Sequence, residues 1–311
     1  MKTEIEDLKA ENKEPPHGRE TFVAYFGDAY VMKRPLPGRD RDAWLAKQHR
    51  TKEFIDEISA VNNPVYNIPK MIHIKDEEYQ LLEERAPGEP LTQALYQSLP
   101  SHQQKQILNG MANFLVNMNE LKPVHDDVYH NISTELKMTK LTNIIENKMP
   151  KWFDLGKIKY MEDLAEDISG FEYVTREAWS HNDLNSGNIL YDKETSKLSF
   201  IDFAEAKYNF IYRDIFSPLC VDLKICRQVY ELYTDYHDKS KYKMPGLRNP
   251  ELQRILRYRA MVVLLKRFIK AGDDLRLYPQ SDKTVQNNFD KVFYMNDLLD
   301  KLRYIEKQLS K

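Results

Sequence analysis

The chain has 311 residues, 41% hydrophobic and 30% charged, a soluble balance with enough apolar material to core two lobes. No apolar run approaches the roughly 18 residues that cross a bilayer. The opening Met1-Lys2-Thr3-Glu4-Ile5-Glu6-Asp7 lacks the apolar centre of a secretion signal, so a cytoplasmic protein without a membrane span is expected. The net charge of −2 points to no specific nucleic-acid partner. Cys220 and Cys226 stand at a spacing that fits no metal or redox motif, so both are expected to be reduced thiols. The charge is uneven, however: residues 221–311 carry 19 Lys and Arg against 12 Asp and Glu. That basic last third reads first as a solvated helical face and second as a surface for an anionic or protein substrate.

In chain order, residues 1–16 are charged, end in Pro15-Pro16 and read as a flexible arm or a short helix. Thr21–Phe26 and Tyr30–Lys33 are β-like runs joined by Gly27-Asp28. Pro35-Leu36-Pro37-Gly38 breaks the chain, and Asp40 or Asp42 is placed to cap a helix running to about Ser59. Met71–Ile74 and Glu78–Leu82 predict two strands around Lys75-Asp76-Glu77, the second leading into the Glu83–Gly88 turn. Ser101-His102-Gln103-Gln104 has the pattern of a capping box. Behind it Ile107, Leu108, Met111, Phe114, Leu115, Met118 and Leu121 recur at helical spacing and predict a core helix. His125 and His130 flank Asp126-Asp127, which reads as a polar loop rather than a metal site. Two amphipathic segments surround Trp152. After residue 213, helices are expected from Asp214 through Tyr233, over 251–270 and over 282–309. Tyr230, Tyr233, Tyr236 and Tyr242 could form an aromatic wall for a cationic group, but helical packing explains the first two as well.

The chemistry concentrates in Trp179–Leu190 and Phe200-Ile201-Asp202-Phe203. Within them His181, Asp183 and Asn188 stand as H-x-D-x-x-x-x-N, and Asp202 ends an apolar run. Short strand pieces at 177–180, 189–191 and 198–201, with a polar turn at Lys193–Ser196, bring a loop and a strand end toward one point. Phosphoryl transfer on the kinase plan needs these groups: one carboxylate to orient the attacking hydroxyl, and a carboxamide with a second carboxylate to hold magnesium. The alternative is a hairpin whose Asp and Asn merely face water.

With these residues the chain resembles the protein-kinase-like superfamily, most closely the aminoglycoside phosphotransferase and choline/ethanolamine kinase branch. His181-Asn182-Asp183 is the usual form of the loop there. The run Ile201–Phe210 through Arg213-Asp214-Ile215 is similar to the choline-kinase segment after its metal aspartate. Ala204 departs from the common glycine and is tolerated in this branch. Phe210 stands where aminoglycoside kinases often carry aspartate, which weighs against that acceptor.

The resemblance implies an α+β, bilobal protein-kinase-like fold, with a small β-rich N-lobe at 17–84 and a larger, mostly helical C-lobe at 85–311. It implies Asp183 as the catalytic carboxylate, His181 and Asp214 as braces, and Asn188 and Asp202 as magnesium ligands. Lys33 falls at the lysine that steadies the α- and β-phosphates. Glu53 is the candidate partner of that lysine, with Glu57 in reserve, although an ungapped match would put Thr51 there. Gly18, in His17-Gly18-Arg19-Glu20, falls in the phosphate-covering loop, and Glu84 and Ala86 are main-chain contacts to the base. The activity implied is transfer of the γ-phosphate of ATP (or GTP) with Mg2+ to a hydroxyl of a small molecule. A protein Ser/Thr kinase and a non-catalytic nucleotide-binding module are the alternatives.

Overall fold

In a computed structural model, the residues described are 21–61, 63–121, 125–131, 156, 159–160, 162–163, 166, 172–210, 213–214, 223–237, 265 and 269. The arm, Gly18, Trp152 and most of the two last helical segments lie outside them. The chain divides into two compact units, one of Met1–Val124 with Ala178–Leu219, the other of His125–Glu177 with Cys220–Lys311.

The first unit opens with an antiparallel sheet of β1 (Thr21–Phe26), β2 (Tyr30–Pro35), β4 (Met71–Lys75) and β5 (Gln80–Glu84), in the order β1-β2-β5-β4. The β1–β2 turn needs a left-handed residue, and Gly27 supplies it at φ +58°. Arg85 then clamps the turn. Its guanidinium donates to the Gly27 carbonyl at 2.9 Å and to the Asp28 carboxylate at 2.8 Å, and it stacks on Tyr25. Between β4 and β5 a single 3-10 turn ends at Tyr79, whose φ of +51° reverses the chain.

Helix α1 (Arg41–Ser59) begins at Asp40, whose carboxylate accepts from the Ala43 amide at 3.0 Å. It buries Trp44, Gln48, Thr51, Phe54, Ile55 and Ile58, a stripe spaced by three and four residues. Short α2 (Gln93–Ser98) is capped by Thr92, and α3 (Ser101–Glu120) follows. The capping box expected at Ser101 is not formed. Pro100 takes the cap position, and the Gln104 carboxamide instead closes the open end of α2 by donating to the Tyr96 and Leu99 carbonyls. The expected α3 stripe is buried from Ile107 to Met118, and it also buries Asn119, whose carboxamide donates to the Trp179 carbonyl.

Residues from both ends of this unit build a second sheet, β3 (Tyr66–Asn67), β10 (Lys197–Phe200), β9 (Ile189–Asp192) and β6 (Glu89–Pro90), in the order β3-β10-β9-β6. Its core is aromatic. The Phe114 and Phe200 rings stack 3.8 Å apart, and Tyr66 meets both edge-on. Phe203 links Phe114 to Phe54 of α1 and touches the His181 ring. Gly88 leads into β6 at φ +104°, and a Cβ there would fall 2.6 Å from the Tyr191 carbonyl. Gly88→Ala is expected to destabilise the protein by at least about 2 kcal/mol, combining left-handed strain with overpacking against backbone. Urea unfolding measures this, and an unchanged midpoint would refute it.

In the second unit, β7 (His125–Asn131) pairs antiparallel with β8 (Glu172–Ser180), whose last residues enter the first unit. The polar loop expected around Asp126-Asp127 is therefore a strand. Its partner lies some 45 residues further along, and local composition does not announce such pairing. Helix α4 (Leu223–His237) buries Ile225, Val229 and Tyr233 at successive four-residue steps, so Tyr233 is a packing residue. Among the described residues no helix is long and apolar enough to cross a membrane.

Candidate active site

Strand β8 ends at Ser180 and β9 begins at Ile189, so residues 181–188 form a loop at one end of the second sheet. Asn185 organises its tip. The Asn185 amide donates to the Asp183 carbonyl at 2.8 Å, and its side-chain oxygen accepts from the Gly187 amide at 2.8 Å. Each oxygen of the Asp183 carboxylate is held by one carboxamide, Oδ1 by Asn185 and Oδ2 by Asn188, both at 3.1 Å. Asn188 also donates to the Asp183 carbonyl at 2.8 Å. The Ile201 amide donates to the Asn188 carbonyl at 3.0 Å, which fixes the loop to the segment carrying Asp202.

Asp202 has φ +61° and Asn182 φ +65°, left-handed conformations that Asp and Asn tolerate better than other side chains. Beneath the loop Asp214, 2% exposed, accepts from the His181 amide at 2.5 Å and the Asn182 amide at 3.1 Å. Burial pushes the Asp214 carboxyl above the usual carboxylate value, while His181, the two amides and Arg213 pull the other way without cancelling it. The His181 ring, fully buried, donates from Nε2 to the Ile201 carbonyl at 2.9 Å. Asn182 donates to the Ser180 and Lys207 carbonyls and accepts from Asn209 at 2.6 Å. Sequence reasoning gave Asn182 and Asn209 no role of their own. The signal for both was present, as amide side chains within the two quoted runs.

Asp183, Asn188 and Asp202 line a cavity of about 680 Å³ together with Lys33 on β2, with Glu84 and Ala86 after it in the chain. Gly18 is outside the described residues. The expected pairing of Lys33 with Glu53 is not formed. Glu53 is exposed on α1, off the stripe begun by Trp44, and the reserve Glu57 is not the partner either. Thr51 is buried with its hydroxyl on the Lys47 carbonyl. Lys33 instead pairs with Glu83 on β5, Nζ to Oε1 2.7 Å. In the β2–β5 register Lys33 lies opposite Leu81 and Glu83 opposite Val31, which makes the two diagonal neighbours on one face of the sheet. Burial works against the Lys33 charge, but Glu83 and then Asp202 outweigh it and hold its pKa above the ordinary lysine value. The Glu84 amide donates to the Lys70 carbonyl and its carboxylate accepts from the Lys70 amide, so Glu84 is tied to the residue just before β4.

Among the described residues no three His, Cys, Asp or Glu side chains gather as a self-sufficient metal site. The Asn188 side-chain nitrogen is bound to Asp183, which leaves the carboxamide oxygen as the atom that could meet a cation. With the Asp202 carboxylate this gives a two-residue oxygen set, the kind that suits magnesium completed by phosphate and water.

The family model described as the phosphotransferase enzyme family matches residues 12–233, well over half the chain. Human ethanolamine kinase 2 is 29% identical over 248 residues, covering 65% of this chain and 63% of its own. A probable choline kinase 3 of Arabidopsis thaliana is 33% identical over 86 residues, so the chain spans less than two thirds of the length of these curated relatives. The fold is that of a GDP complex of an aminoglycoside 2'-phosphotransferase, with TM-score 0.64 at 13% identity over 96% of this chain and 95% of that one. It is also that of a choline/ethanolamine kinase family protein from Mesorhizobium loti, with TM-score 0.59 at 12% identity over 94% and 92%.

Proposed function

The chain belongs to the phosphotransferase enzyme family, and from that premise we propose that it is an ATP- and magnesium-dependent kinase acting on a hydroxyl of a small molecule. The observation that carries this reading is one cavity lined by Lys33, Asp183, Asn188 and Asp202, with the Asp183 carboxylate steadied by two carboxamides. Asp183 orients the acceptor hydroxyl and takes its proton as the new P–O bond forms and the nucleoside diphosphate leaves. The proton departs late in a loose transition state, so an ordinary carboxylate suffices. Lys33, charged and held by Glu83, is placed for the α- and β-phosphates. His181 and Asp214 hold the loop in shape. Asn188 and Asp202 would hold magnesium, which when bound neutralises charge on the phosphates. Most of the acceleration then comes from positioning and charge complementarity.

We assign nucleotide binding to the lobe at 17–84 with the hinge at Glu84–Ala86, and the catalytic loop to the lobe at 85–311. The named relatives divide between ethanolamine and choline kinases and aminoglycoside phosphotransferases, which supports a small amine-bearing alcohol as acceptor. Solved neighbours include GDP-bound and ADP-bound aminoglycoside phosphotransferases, so both purines belong in the test. The experiment is ADP or GDP release with Mg2+ across choline, ethanolamine, aminoglycosides, sugars, nucleosides and a protein pool. Release stimulated by one small-molecule class is expected. Label appearing only in protein would replace this reading with a protein kinase, and nucleotide binding without any transfer would leave a binding module.

A further inference from the structure

Helix α1 faces the cavity with Trp44, Lys47 and Gln48 and with no acid. Lys47 Nζ lies 2.5 Å from Oε1 of Glu205, three residues beyond Asp202, and both side chains line the cavity. Lys33 has its own carboxylate, Glu83. The helix expected to give Lys33 a counter-ion thus brings a second ammonium into the same space, and the segment after Asp202 supplies that ammonium's acid. The Lys47 side chain is 24% exposed and the Glu205 side chain 53%, so the carboxylate can turn to water while the ammonium stays at the cavity wall. An ion pair this exposed contributes little to stability. A charge-assisted bond from an ammonium to a phosphate oxygen is stronger, and a lysine ammonium has three donors with which to change partners.

We propose that Lys47 is a second phosphate-binding cation of this cavity, held in place by Glu205 until a nucleotide's polyphosphate chain takes over. The proposal rests on the kinase reading of the same cavity, and its test separates the two. Calorimetric titration of the full chain would use the nucleoside, diphosphate and triphosphate of whichever purine the wild type binds, with Mg2+. Lys47→Met is expected to weaken the triphosphate about tenfold or more and to leave the nucleoside unchanged. Glu205→Gln is expected to leave triphosphate affinity equal or tighter, because it removes the carboxylate that competes with phosphate for Lys47. Lys47→Arg keeps the charge and should stay within a few-fold of wild type. Equal weakening by Lys47→Met and Glu205→Gln would make the pair a structural brace and overturn the proposal, as would unchanged triphosphate binding in Lys47→Met. Should Lys47→Met lose the nucleoside as well, Lys47→Arg decides: retained triphosphate affinity supports the proposal and lost affinity refutes it. A wild type that binds no purine nucleotide would refute the kinase reading itself, and this inference with it.

Discussion

Asp202→Asn is expected to lower the phosphoryl-transfer rate by at least about a thousandfold while leaving the melting temperature unchanged. The two halves of that result have separate causes. Asp202 sits at φ +61°, and asparagine is the isosteric side chain that accepts this conformation most readily, so the backbone has no reason to move. Nor does the aromatic packing of Phe203 against Phe54 and Phe114 depend on the charge. What disappears is a negative oxygen beside Asn188 and one of the two acids that hold Lys33 charged. A second neutral amide in place of the carboxylate leaves the cation without a charged protein ligand, so the loss falls on the chemical step. Product release and circular-dichroism melting on the same preparation check it. Activity within tenfold of wild type would remove Asp202 from the machinery.

Asp214→Ala is expected to cost both fold and function. The carboxylate is buried and takes two amide hydrogens from the loop, and nothing replaces it in alanine. Leaving two buried N–H groups unsatisfied costs roughly 2–5 kcal/mol, and the His181–Asp183 segment loses its anchor. Activity should fall even at temperatures where the variant is folded.

The wild-type residue also carries a pH signature. Its folded pKa is raised above the ordinary value by burial. Its contribution to stability is therefore complete below the unfolded carboxyl value of about 3.9, is lost as pH rises through the raised folded value, and is constant above it. Stability of wild type minus that of Asp214→Asn should fall with rising pH across that window. Chemical denaturation at a series of pH values measures the difference, and a flat or rising curve would contradict the burial argument.

That Asp183, Asn188 and Asp202 line one cavity was legible because their spacing is local. Asp183 and Asn188 share one loop, and an apolar strand delivers Asp202 beside them. The cap at Asp40 and the α3 stripe were equally local. The partner of Lys33 was not. Choosing among Thr51, Glu53 and Glu57 requires knowing how α1 is rotated, and the rotation is set by packing of Trp44, Gln48 and Phe54 against the rest of the unit. Glu83 gave a faint signal, an acid following Leu81-Leu82 in a buried strand, but only the β2–β5 register makes it a neighbour of Lys33. The capping box failed for a similar reason: Gln104 was claimed by the carbonyls of α2, a tertiary competitor that a four-residue pattern cannot reveal.

The ring contacts that run through the first unit have an optical consequence. Trp179 lies with its ring centre 4.8 Å from that of Phe54 on α1 and 5.0 Å from that of Tyr208 beyond the loop. A tilt of α1 would change what surrounds that indole, so in a variant with Trp44 and Trp152 replaced by phenylalanine the ultraviolet emission would gauge how the helix sits when the cavity fills.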